Sequence, residues 1–132
     1  MGLDCSHDAF HGAYSSFNRF RQVVAKAIGG SFPPHDGDRT LDPDQWYWGR
    51  GYGEETHPGL LLFFQHSDCD GELSPAECSL VANDLEALMP NIAAHGSGTG
   101  HIARDGGYGE VAKRFIAGCR DACEAGESLL FG

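Results

Sequence analysis

The chain carries 132 residues, with 9 Lys plus Arg against 19 Asp plus Glu, a formal charge of −10 and 41% hydrophobic residues. One core fits that length and a second full domain does not. The acid excess argues against general binding to nucleic acid or to anionic membranes, because it repels phosphate.

No stretch nears the ~20 apolar residues of a membrane span, and the opening Met1, Gly2, Leu3, Asp4, Cys5 has neither the basic nor the apolar region of a secretion signal. A cytoplasmic protein is therefore expected. The five cysteines stand at 5, 69, 78, 119 and 123, an odd number without paired spacing, and read as free thiols.

From Ser6 to Ile28 the apolar residues Phe10, Ala13, Tyr14, Phe17, Val24 and Ile28 recur at three and four, which predicts an amphipathic helix stopped by Gly29 and Gly30. Residues 29–56 hold Pro33 and Pro34, several Asp and Gly, and Trp46, Tyr47 and Trp48, a composition that predicts a loop with one short helical turn. Pro58 then opens a helix through Leu60, Leu61, Leu62, Phe63 and Phe64, and Pro75 opens another carrying Leu80, Val81, Leu85, Leu88 and Met89. A Gly-rich stretch from Gly96 to Gly107 reads as a flexible linker. The last helix, over 107–125, presents Tyr108, Val111, Ala112, Phe115, Ile116, Cys119 and Cys123 as one stripe. No segment alternates at period two, so the expected fold class is all-α: one compact helical domain with amphipathic helices at both ends.

Between the two central helices lies His66, Ser67, Asp68, Cys69, Asp70, Gly71, Glu72, Leu73, Ser74, Pro75, Ala76, Glu77. This run resembles the twelve-residue calcium loop of the EF-hand family. The resemblance implies a divalent cation, calcium first, held by oxygens at loop positions three, five, seven, nine and twelve, with a glycine at six for the sharp turn. Carried over, these are Asp68, Asp70, the Glu72 carbonyl, Ser74 and Glu77, with Gly71 at six and apolar Leu73 at eight, in a unit spanning 58–90. Position one departs from the family: His66 offers an imidazole where a carboxylate is expected, which weakens calcium and favours softer ions. Residues 34–45, within a span of 14–50, fit the same frame as a decayed first hand. Asp36 and Asp38 stand at three and five, but Arg39 replaces the glycine and Gln45 the closing carboxylate.

Two further constellations are candidates. Cys5, His7 and His11 have a spacing that suits zinc if they share a helix turn, with His66, Cys69 or His101 as a fourth ligand. Arg19, Arg21, His101, Arg104 and Arg114 would make a local anion site against the global charge. No Ser or Cys sits in a nucleophile elbow, so no catalytic residue is assigned.

The chain as a whole, through its opening residues 1–14, the run 66–72 and the later Gly100, His101, Ile102, is similar to a group of small proteins of phages and their bacterial hosts. That group brings no established activity, and the resemblance implies an accessory role in the host cytoplasm. The leading expectation is a non-enzymatic cation-binding protein with a structural metal. Two alternatives accompany it: an anti-defence protein that sequesters an anionic nucleotide signal or blocks a host protein, and a zinc hydrolase. With two Met in the chain, a flexible target-capturing groove of the sensor type is not expected.

Overall fold

The computed structural model describes residues 2–30, 57–66 and 70–132. Its elements run β1 (Gly2–Asp4), a single 3-10 turn (Ser6–Asp8), β2 (His11–Ala13), α1 (Tyr14–Ala27), α2 (Pro58–Gln65), β3 (Glu72–Leu73), α3 (Pro75–Ala87), α4 (Met89–Ala93), α5 (Gly100–Arg104), α6 (Tyr108–Ala125) and β4 (Leu129–Leu130). The protein is mostly helical but not purely α. Among the described residues two small antiparallel sheets join the helices, β1 with β2 and β3 with β4. These strands are two or three residues long, too short for alternation to register in a sequence.

α6 is the central element. Its residues Val111, Ala112, Phe115, Cys119 and Ala122 are buried, and it packs on both α3 and α4. Around Phe115 gathers an aromatic core of Phe17, Phe20, Phe63 and Phe131, with ring centroids 5.5 to 6.4 Å from the Phe115 ring. Edge-on and tilted pairs of this kind add to the burial of apolar area. α2 and α3 approach closely because Gly59 has no side chain; a Cβ there would stand 2.1 Å from the Leu80 carbonyl oxygen. The Asp84 carboxylate accepts from the first free amides of α2, Gly59 N at 2.8 Å and Leu60 N at 3.2 Å, satisfying donors that a helix start leaves open.

The helix expected from Ser6 is shorter at its beginning. Residues 11–13 pair with 2–4 as β2, and His7 and Asp8 adopt φ of 54° and 58°, outside any right-handed helix. Phe10, Phe17, Val24 and Ile28 of the expected stripe are nevertheless buried and Ala13 and Tyr14 half-buried, so most of the apolar spacing marked core positions while the backbone before residue 14 took another path. The linker expected at 96–107 contains the one-turn α5, anchored by fully buried Ile102. The decayed hand at 34–45 lies outside the described residues, as do Asp68 and Cys69.

Candidate metal site

α2 ends at Gln65, and His66 leaves it in extended conformation, φ −69° and ψ 146°. The described chain resumes at exposed Asp70, passes Gly71 at φ +91°, and enters β3. That positive φ is the left-handed turn which the glycine at loop position six permits at low strain. In β3, Glu72 is exposed and Leu73 is buried, and they pair with Leu130 and Leu129. The loop's backbone edge is thus covered by the C-terminal strand. Ser74 caps α3 through a reciprocal box: its Oγ accepts from Glu77 N at 3.2 Å, and Glu77 Oε1 accepts from Ser74 N at 2.9 Å.

The oxygens here are of the hard kind calcium takes: the Asp70 carboxylate, the Glu72 carbonyl, the Ser74 hydroxyl and the Glu77 carboxylate. The capping box uses one Glu77 oxygen and leaves Oε2 outside it. His66 fits less well. Its Nε2 lies 3.1 Å from the Glu72 carbonyl oxygen, which can only accept, so this nitrogen carries the hydrogen and is no lone-pair donor in this arrangement. Among the described residues no three His, Cys, Asp or Glu side chains converge as a metal group.

The structure separates the proposed zinc residues. Because the backbone from Cys5 to His11 is not helical, the four-residue spacing of His7 and His11 no longer stacks them on one face. His7 Nε2 meets Glu127 Oε1 at 3.2 Å, whereas His11 meets Asp4 at 2.5 Å and Asp8 at 2.7 Å through its two nitrogens. Cys5 is buried, and burial, seconded by the Asp4 carboxylate, pushes its thiol up to about 12. A protonated thiol of that kind is a poor zinc ligand. Between α3 and α6, the sulfur contact with Cys78 together with burial pushes the Cys119 thiol up as well.

The cations of the suggested anion site are largely engaged inside the fold. Arg21 is buried, donates from Nη1 to the Phe64 carbonyl at 3.2 Å, and lays its guanidinium over Phe17 at 4.5 Å. Arg19 donates to Ser16 Oγ at 3.2 Å. Arg114 donates to the Asp8 carbonyl at 2.8 Å and to its carboxylate at 2.5 Å, while His101 Nδ1 accepts from Ala13 N at 3.2 Å. Arg104 is exposed on the last turn of α5.

Sequence reasoning missed the C-terminal strand and its link to the loop. The His66 and Phe131 rings lie 4.0 Å apart between centroids, and Phe131 N donates to the Gly71 carbonyl at 2.9 Å. The available signal was the apolar run Leu129, Leu130, Phe131 following the left-handed helix stop at Gly126. Comparison with protein families, with curated proteins and with solved structures finds no match for the chain.

Proposed function

We propose that the protein is a non-enzymatic cation-binding protein in which the loop 66–77 takes a divalent ion, calcium first, in a structural role. The observation that supports this most is the loop's path. A helix leads in, a left-handed glycine turns at position six, a short bridge forms at Leu73, and Ser74 with Glu77 starts the helix that leads out. Asp68, Asp70, the Glu72 carbonyl, Ser74 and Glu77 would hold the ion. When bound, it would neutralise the loop's carboxylates and tie the end of α2 to the start of α3. With His66 in place of a carboxylate, binding should be weak, toward the roughly millimolar end of such sites.

The test is thermal melting in chelator and in about 10 mM calcium, manganese or zinc, a concentration above the weakest sites of this type. An ion that binds only the folded chain stabilises it by mass action and so raises the melting temperature, by about 1.4 kcal/mol of stability at the tenfold excess that about 10 mM represents over a Kd of about 1 mM. Glu77→Gln keeps an oxygen to accept from Ser74 N but loses the charge, so it should melt close to the parent in chelator and lose the part of the calcium response that exceeds NaCl at equal ionic strength. Identical melting of the parent in chelator and in all three ions, with ionic strength matched by NaCl, would remove the proposal. The reading as an anti-defence anion binder has less support, since Arg19, Arg21 and Arg114 already serve internal partners. A nucleotide-induced rise in melting temperature would restore it.

A further inference from the structure

We infer that His66 closes the loop from within the chain, joining loop positions one and seven as an ion would and locking both to the C-terminal strand, so that imidazole and cation compete for the loop. The closing role stands on geometry; the competition rests on the cation reading above.

Four contacts form a circuit. His66 Nε2 donates to the Glu72 carbonyl at 3.1 Å. Its ring covers the face of Gly71, where a Cβ would meet Cε1 and Nε2 at 3.4 and 3.5 Å. The same ring lies against Phe131, centroids 4.0 Å apart and planes 33° apart. Phe131 N then donates to the Gly71 carbonyl at 2.9 Å, beside the pairing of Glu72 with Leu130 and Leu73 with Leu129.

Each contact answers a need of the loop. The Glu72 carbonyl at position seven is an acceptor that a bound ion would take up, and the imidazole N–H supplies a donor to it. The strand edge of β3 would otherwise display unpaired amides and carbonyls, a template for other chains. Phe131 anchors the cover, since its ring also reaches Phe17 and Phe115 in the core, at 6.1 and 6.4 Å. His66 is therefore a positioning residue: it holds Glu72 and the C-terminal strand in place and sets which partner, proton donor or cation, the position-seven carbonyl receives. An ion bound at positions one and seven must displace the ring from both Glu72 and Phe131.

The experiment uses the full chain. In chelator, amide hydrogen exchange at Phe131 should quicken about fivefold or more in His66→Ala, the equivalent of one net hydrogen bond. His66→Gln, whose amide can still donate, should recover part of that protection. His66→Asp should exchange fast in chelator, slow down with calcium, and bind calcium at least about tenfold tighter than the parent, as expected when a carboxylate takes position one. The parent chain gives an independent measurement should the variants fold poorly. Ring-proton NMR signals of His66 should be displaced by the Phe131 ring current and should move to ordinary positions on addition of calcium.

Unchanged Phe131 exchange in His66→Ala, or His66 ring signals at ordinary positions in chelator, would overturn the closing role. If the closing role holds but neither the parent nor His66→Asp binds calcium, the competition and the proposed cation function fall together. Calcium bound equally by the parent and His66→Asp, with the His66 ring signals unmoved, would overturn the competition and leave the cation function standing.

Discussion

Asp8 shows how one exposed residue can hold a strained turn. It and His7 are consecutive non-glycine residues in the left-handed region, each of which carries strain of order 1–3 kcal/mol. Arg114, reaching from α6, donates from Nε to the Asp8 carbonyl and from Nη2 to its carboxylate, gripping backbone and side chain at once. The guanidinium, with help from His11, holds the Asp8 carboxyl below the usual carboxylate range. A depressed folded value contributes stability that is present above the unfolded value, near 4, and is lost as pH falls through the folded one. Asparagine tolerates the left-handed region and keeps the side-chain shape, so Asp8→Asn isolates the charge. It should be less stable than the parent at pH 7, and the gap should close as pH drops below about 4. Urea midpoints of both proteins at neutral and acid pH check this; a gap that stays constant would mean the carboxylate charge contributes nothing.

At the scale of elements, sequence patterns were most legible where a helix starts at a proline or buries one continuous apolar stripe. α2 and α3 begin at the prolines expected, Pro58 and Pro75, and α6 spans Tyr108–Ala125 against an expected 107–125. The misreadings share a physical cause. Phe10, Ala13 and Tyr14 carry helical spacing, yet β1 offers residues 11–13 a backbone partner that a lone periodicity cannot foresee. Likewise α5 is too short to leave a repeating pattern, and only the burial of Ile102 marks it. Of the candidate site, the turn glycine and the start of α3 were legible, because Gly71 and Ser74 act within a few residues of themselves. The Phe131 contact was not, since it joins positions 65 apart. Close helix contact is also a tertiary fact: Gly59 reads as a weak helix residue, but its bare Cα lets α2 rest on the Leu80 carbonyl. Gly59→Ala would gain about 1 kcal/mol in helix propensity and yet force the helices apart, at about 1–3 kcal/mol. The expected outcome is net destabilisation, read as a lower urea midpoint; an increase would show that α2 shifts freely.

At the scale of the molecule, the two ends of the chain meet over the loop. Leu130 N donates to Ser6 Oγ at 2.8 Å, Cys5 bridges to Phe131, and β4 pairs with β3, so the N-terminal turn, the C-terminal strand and the loop form one surface. That surface carries the exposed carboxylates of Asp4, Asp70, Glu72 and Glu127, in a chain of net charge −10. Self-repulsion of this size destabilises the compact state and is relieved by any salt. Raising NaCl from 0.01 to 0.15 M shortens the Debye length from about 30 Å to about 8 Å, and the melting temperature should rise with it. A calcium effect is therefore meaningful only as the excess over NaCl or magnesium chloride at equal ionic strength. Screening acts on every carboxylate and should survive Glu77→Gln almost unchanged, because one of 19 acidic side chains is neutralised. Site binding should not survive it. A melting temperature that falls with added NaCl would mean that the few cations, Arg114 and Arg120 foremost, stabilise more through their ion pairs than the acid excess repels. In that case calcium at equal ionic strength should destabilise the Glu77→Gln protein as well.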